Sequence, residues 1–171
     1  LALEAVGFAD RATQRVMKTD AVFWIASQSK PITGAAVMML VDEGKLSLDD
    51  AVEKYLPEFK GQQLDAGKGP DGKPMLKAPA HPITVREVLS HTSGIVPRSP
   101  LEPQIDILPL RENVRVYPLV PLHFEPGTKY EYSNGGINTA GRIIEVISGM
   151  KYEDFMQKRL FDPLGMTDTT F

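Results

Sequence analysis

Pro31 constrains this chain more than any other residue. Proline lacks the N–H that a helix interior needs, and its ring clashes with the preceding turn, so it is tolerated only in a helix's first turn. The run behind it, Ile32-Thr33-Gly34-Ala35-Ala36-Val37-Met38-Met39-Leu40-Val41, is apolar on every face, which marks a helix that needs cover on all sides. A helix is therefore expected from about residue 28 to just before Gly44, its C-terminal cap. Ser27 falls at the N-terminal end, where unpaired N–H groups and the positive dipole end collect. Lys30 comes one turn later on the same face. A serine hydroxyl is a weak nucleophile until a base takes its proton. A lysine one turn away can be that base, or hold the base in place, if burial lowers its pKa. The competing reading is a capping serine beside a solvated lysine. A second Ser-x-x-Lys, Ser148-Gly149-Met150-Lys151, does not compete, because Gly149 reads as a helix stop that parts the two side chains.

The rest of the chain arranges itself around that helix. Residues 3–8 alternate loosely and read as a strand. Ser47-Leu48-Asp49-Asp50 resembles a capping box and should open a short helix closed by Pro57. Residues 61–82 are rich in Gly, Pro and Lys and read as an excursion loop. Within it, Gly67-Lys68-Gly69-Pro70-Asp71-Gly72 formally matches the dinucleotide fingerprint, but with no strand expected before it and no helix after it the match is set aside. Thr84-Val85-Arg86-Glu87 is a better capping box, opening a short helix through Leu89 that His91-Thr92-Ser93-Gly94 ends. The segment from there to Pro126 holds seven prolines and no clear period; it is too long for a plain connector and suits the wall of a substrate cleft. A turn at Glu125-Pro126-Gly127-Thr128 leads to an extended stretch over residues 129–132. Residues 136–148 carry apolar side chains at helical spacing, and residues 152–160 form a last amphipathic helix.

Tyr132-Ser133-Asn134 is the second candidate for chemistry. A tyrosine is normally protonated, with a pKa near ~10, but beside an ammonium its phenolate is favoured and can act as general base on a serine. Asn134 could donate to a substrate amide or orient Lys30. Tyr130 is the rival tyrosine, sharing a face with Tyr132 on an extended segment. Alone, Tyr132 reads as an aromatic packed under a loop, and Asn134 as a turn or cap residue. His81, His91 and His123 lie far apart and outside zinc-binding spacing, so no metal site is expected. His91 is expected to be structural, a helix-end residue bonding loop carbonyls. No Gly-x-Ser-x-Gly elbow is present, which disfavours an α/β-hydrolase. Adjacent Asp49 and Asp50 suit a helix start, not a paired acid and base.

Composition narrows the rest. A net charge of −3 without a basic run argues against nucleic acid. No apolar stretch is long enough to span a membrane. Zero cysteines exclude disulfides and thiolate metal sites, and nothing suggests a cofactor. At 171 residues the chain is long enough for one sizeable core. It starts at Leu1 and stops abruptly at Phe171, so the expectation is a single incomplete domain over 1–171, a fragment.

Taken together, the motifs resemble the serine β-lactamase and penicillin-binding protein superfamily, and within it the class C-like branch that includes esterases and D-amino-acid peptidases. The resemblance rests on Ile25-Ala26-Ser27-Gln28-Ser29-Lys30-Pro31-Ile32-Thr33, on the stretch from Leu40 to Asp50, on Leu89-Ser90-His91-Thr92-Ser93-Gly94-Ile95, on Glu125-Pro126-Gly127-Thr128, on Tyr132-Ser133-Asn134 and on Pro163-Leu164-Gly165-Met166. It implies an α/β (α+β) fold of the β-lactamase/transpeptidase type, of which this chain would hold mostly the helical part with one or two sheet strands. It implies that Ser27 is acylated, that Lys30 is its activating partner, that Tyr132 is the general base and that Asn134 contacts the substrate amide, with the division of labour between Lys30 and Tyr132 left open. The implied substrate is a small molecule, a β-lactam, a D-Ala-D-Ala peptide or a small ester, and the implied location is periplasmic or secreted. The family's third motif, Lys-Thr-Gly or a His-x-Gly variant on a sheet edge, does not occur in these residues. Two consequences are expected: weak catalysis by this chain alone, and an apolar face that pairs with a further segment or a second copy. The alternative is a non-catalytic member of the same fold that binds a peptide or partner protein, or an inactive fragment.

Overall fold

The computed structural model describes residues 2–101 and 108–171. Its first elements form a small antiparallel hairpin, β1 (Phe8–Asp10) and β2 (Arg15–Val16). The strand expected over residues 3–8 is thus displaced toward the C-terminus, meeting the expectation only at Phe8. Local turn chemistry sets the new position. Gly7 takes a positive φ of 74°, and the Asp10 carboxylate accepts the N–H groups of Ala12 and Thr13 at 2.9 and 3.2 Å, which closes the loop.

A single 3₁₀ turn, Ala26–Gln28, leads into α1 (Ser29–Asp42), with Pro31 in its first turn and Gly44 at φ 67° beyond its end. The helix is covered on one side only: Thr33, Ala36, Val37 and Leu40 are buried, whereas Ala35 and Met38 face out. The Ser47–Asp50 stretch does not open one helix as expected. The Asp50 carboxylate folds back onto the Ser47 N–H, Lys54 and the Tyr55 hydroxyl, and two separate 3₁₀ turns come after it, Val52–Lys54 and Pro57–Phe59.

The expected excursion loop is instead a hairpin, β3 (Leu64–Lys68) paired antiparallel with β4 (Pro74–Lys77). Pro70-Asp71-Gly72 supplies the reversal, with Gly72 at φ 79° and its N–H bonded to the Gly69 carbonyl at 2.9 Å. A strand does therefore precede the Gly67–Gly72 pattern. The chain leaves that pattern into a second strand and not into a helix, so the phosphate-cradling geometry is missing.

The remaining helices are α2 (Val85–Leu89), α3 (Leu110–Val114), α4 (Asn134–Ser148), α5 (Tyr152–Met156) and α6 (Asp162–Leu164), with a π-helical turn, Gln157–Phe161, joining the last two. The capping box on α2 forms as read: the Thr84 hydroxyl accepts the Glu87 N–H, and Glu87 accepts the Thr84 N–H at 2.8 Å. α3 goes beyond the expectation, being a single short helix inside a proline-rich segment. Residues 129–132 enter no strand among the described residues.

Helix α4 is the hub. It packs against α1, α2, α3 and α5, and its buried Ala140, Ile143 and Ile144 meet Val37, Val88, Tyr117 and Phe155 in one core. Gly149, at φ 68°, ends it, so Ser148 and Lys151 do not share a helical face. The chain thus holds mostly helices with short antiparallel strands and an incomplete sheet. Among the described residues, no helix is long and apolar enough to cross a membrane.

Candidate functional site

Three of the sequence candidates meet. The Lys30 ammonium donates to the Ser27 Oγ at 3.1 Å, and the Tyr132 hydroxyl donates to the same oxygen at 2.6 Å, across 105 residues of chain. Lys30 Nζ also lies 4.7 Å from the centroid of the Tyr132 ring. Each side chain has a local cause for its place. Ser27 sits in the 3₁₀ turn ahead of α1, and the i, i+3 spacing brings Lys30 over it. Ala26, just before it, is held at φ 47°, a left-handed backbone that is uncommon for a residue with a Cβ. The Ser29 hydroxyl donates to the Ala26 carbonyl at 2.7 Å and braces that turn.

Tyr132 is placed from the other direction. Ser133 caps α4: its buried Oγ accepts the Gly136 N–H at 3.0 Å. The same hydroxyl faces the carbonyls of Ile95 and Val96 at 3.1 and 3.2 Å, so the start of α4 is tied to the 93–96 segment. Gly135 and Gly136 let that segment and α2 approach closely, since a Cβ at Gly135 would lie 2.5 Å from the Val96 carbonyl oxygen and one at Gly136 2.8 Å from that of Val88.

The electrostatics favour proton transfer at this oxygen. The Lys30 ammonium, and after it the Ser27 hydroxyl, hold the Tyr132 phenol below its ordinary pKa. Tyr132 and Ser27 are both open to solvent, as a site that admits substrate must be. Asn134 begins α4 two residues beyond Tyr132, with its N–H on the Pro97 carbonyl at 3.0 Å. No hydrogen bond joins its side chain to Lys30 among the described residues. Among the described residues, Tyr130 makes no contact with Ser27 or Lys30; it meets His91 edge to face, with ring centroids 5.8 Å apart.

His91 is the residue that the sequence undervalued. Among the described residues it makes no bond to a loop carbonyl, contrary to the expectation. Its Nδ1 accepts the Ser133 N–H at 3.2 Å, and its ring lies against that of Tyr132, centroids 4.9 Å apart and planes tilted by 34°. The other two histidines sit elsewhere, His81 beside Glu87 at 3.6 Å and His123 on Glu131 at 2.7 Å. Among the described residues, no group of three or more metal-ligating side chains comes together.

Comparisons with known proteins bear on the same scaffold. The chain is 37% identical over 161 residues to the lovastatin esterase of Penicillium rubens, a match that takes in 89% of this chain and 40% of that protein. It is 32% identical over 180 residues to esterase EstB of Burkholderia gladioli, covering 98% of this chain and 43% of the esterase. Among solved structures it superposes on EstCE1, described as a hydrolase with promiscuous acyltransferase activity, with a TM-score of 0.72 and 30% identity over 93% of this chain and 42% of the other. The chain therefore spans about 40% of the length of these relatives. The family model described as Beta-lactamase matches residues 1–171, the whole of the sequence. Ser27 in its turn, Lys30 one helical turn on and Tyr132 just ahead of α4 thus sit on the fold of that group, and the chain belongs to the beta-lactamase family.

Proposed function

We propose that this protein is a serine hydrolase that cleaves small carboxylic esters through an acyl-enzyme on Ser27. The observation that carries the reading is the double contact on Ser27 Oγ, from Lys30 at 3.1 Å and from Tyr132 at 2.6 Å. A serine braced this way has both an ammonium that favours a neighbouring phenolate and a phenol oxygen within proton-transfer distance. In the reactive state Tyr132 is the phenolate and the Ser27 O–H donates along the same contact. The proton passes to the Tyr132 oxygen, the Oγ lone pair forms the bond to the ester carbonyl carbon, and the carbonyl π electrons move onto oxygen. Collapse breaks the bond to the alcohol oxygen, which takes its proton from Tyr132. Water then repeats the sequence and releases the acid. The Lys30 ammonium beside the ring stabilises the phenolate. Asn134, two residues beyond Tyr132 in the chain, is assigned to the substrate carbonyl or amide. The choice of esters over β-lactams and D-Ala-D-Ala peptides is supported by the names of the relatives, two esterases and a hydrolase with acyltransferase activity.

The test is covalent labelling. A fluorophosphonate should modify the purified protein at Ser27, located by peptide mass spectrometry, and the label should disappear in Ser27→Ala. Turnover of 4-nitrophenyl acetate should fall by roughly 10⁶ in that variant, the scale of losing a serine nucleophile. Labelling that survives Ser27→Ala sinks the assignment. A fluorescent penicillin that labels Ser27 while nitrophenyl esters are not turned over would move the substrate class from esters to β-lactams.

A further inference from the structure

Tyr132 is held between two groups with opposite demands. On one side is the Lys30 ammonium, 4.7 Å from its ring centroid. On another is the His91 ring, 4.9 Å away and tilted by 34°. His91 lies just past the end of α2 with a backbone φ of 60°, a left-handed conformation that fixes where its side chain leaves the chain. Two hydrogen bonds then tie it to the Tyr132 segment: the Glu131 N–H donates to the His91 carbonyl at 2.9 Å, and the Ser133 N–H donates to His91 Nδ1 at 3.2 Å. These bonds flank Tyr132 on both sides in sequence, so His91 clamps the one residue between them.

The second bond has a chemical condition. A nitrogen that accepts from an N–H cannot carry a proton, so the ring must be neutral with its hydrogen on Nε2. We propose that His91 is a positioning residue for Tyr132, and that it holds the phenol in place only as this neutral tautomer. The inference rests on the reading of Tyr132 as the base for Ser27. Protonating His91 would set an N–H against the Ser133 N–H and place a second cation beside Lys30. Among the described residues, the groups that face the ring are Lys30 from α1 and Tyr130 and Tyr132 from the loop before α4, while the Glu131 carboxylate is taken up by His123 at 2.7 Å. No carboxylate among them stabilises a charged imidazole. Burial, and then the Lys30 charge, accordingly hold His91 below the ordinary histidine pKa of 6.5. The clamp is therefore intact at neutral pH and is released as the pH falls through that lowered value.

Two protons should then appear on the acid side of the activity profile. One belongs to Tyr132, which must be a phenolate to act as base, and the other to His91. In the wild-type protein, log kcat/KM for 4-nitrophenyl acetate, followed between about pH 9 and about pH 5, should fall with slope one as the pH is lowered and steepen to two at the acid end. His91→Asn is the informative variant: asparagine tolerates the left-handed backbone, and its side-chain oxygen takes the place of Nδ1 as acceptor from Ser133. It keeps the bond, loses the ring and cannot titrate. Its profile should keep slope one throughout, with kcat lower by roughly ten- to a hundredfold, the scale of a slightly misplaced group, and KM little changed. Circular dichroism at each pH, and recovery of rate on return to neutral pH, separate the effect from acid unfolding. Nitrogen NMR of ring-labelled histidine should show His91 bare at Nδ1 at neutral pH, and the Tyr132 ring signals should move as His91 titrates. A second acid limb that persists in His91→Asn, or an Nδ1 that is protonated at neutral pH, overturns the proposal. The NMR readout needs no turnover, so it stands even if Ser27→Ala shows that another residue is the nucleophile.

Discussion

The two residues that meet at 2.6 Å come from unlike surroundings. Tyr132 rises from the packed body. Next to it come a buried cap, Ser133, and two buried glycines, Gly135 and Gly136, and it leads into the helix that touches four others. Ser27 comes after Val22-Phe23-Trp24-Ile25, all exposed, Trp24 at 90%. Upstream of that run, residues 2–20 contribute only the short β1–β2 hairpin, with Leu3, Val6, Phe8 and Val16 also open to solvent. Ser27, the proposed nucleophile, is held by local devices: the left-handed Ala26, the Ser29 hydroxyl and the first turn of α1. Tyr132, the proposed base, is held by tertiary packing. One site therefore depends on two kinds of restraint, and substitutions should separate them.

The largest effect should come from the contact itself. A general base contributes typically ~10²–10⁴ in rate, so Tyr132→Phe should lower kcat on 4-nitrophenyl acetate by about that factor, and Tyr130→Phe by far less. Equal losses would mean that both rings only pack. The pH profile sharpens the assignment. With Tyr132 as the proposed base, activity should require the deprotonated phenol, so kcat/KM should rise with pH through the Tyr132 pKa. Lys30 and Ser27 hold that pKa below the ordinary tyrosine value of 10.0, so the plateau should be reached before a free phenol would ionise. Lys30→Met removes the ammonium and should push the acid limb upward.

That division of restraint also decides how much is legible in the sequence. The Ser27 end is legible because its causes are local: Pro31 marks the helix start and the three-residue spacing brings Lys30 over Ser27. The caps at Thr84, Glu87 and Gly149 are legible for the same reason. The pairing of Ser27 with Tyr132 has no local signature, and only the combination of motifs points to it. The β3–β4 hairpin escapes a reading by pattern although Pro70-Asp71-Gly72 is a turn signal with a mechanism, because the flanking residues include Gly, Lys and Pro and show little alternation. β1 is displaced from its expected position because its bounds depend on the Asp10 turn and not on apolar spacing. The role of His91 is out of reach: its ring contact and its bond to Ser133 exist only once α2 and α4 are packed together.

A middle-sized effect should come from the body. A Cβ at Gly135 would lie 2.5 Å from the Val96 carbonyl oxygen, 2.9 Å from Ile95 Cγ2 and 3.1 Å from Tyr117 Cε1. The first of these is backbone and cannot swing aside. Gly135→Ala should therefore cost about 1–3 kcal/mol by overpacking, despite alanine's better helix propensity, read as a lower midpoint in urea. Because the strain falls three residues from Tyr132, kcat should drop as well. An unchanged midpoint would show that the 95–97 segment gives way, and that the base is less firmly held than the packing implies.

The smallest effect should come from the exposed strip, and it is the sharpest test of the contrast. Phe23 and Trp24 are large apolar side chains, and burying one stabilises a fold by about 1.5–3 kcal/mol. Here they are 67% and 90% exposed, so little of that contribution is being made within this chain. Phe23→Ser combined with Trp24→Ser should shift stability by no more than about 0.5 kcal/mol per site, the range of ordinary surface changes. The Ser27–Lys30 contact should survive too, because the devices that set it, Ala26, Ser29 and Pro31, all lie downstream of the substituted pair. If the double variant instead loses as much stability as Gly135→Ala, these side chains are covered in solution. Light scattering on the same samples would then tell whether the cover is a second copy, since the wild-type protein would run as a dimer and the variant as a monomer. In that case the nucleophile and the base would be held by the same kind of restraint, and the distinction between the two ends of the site would fail.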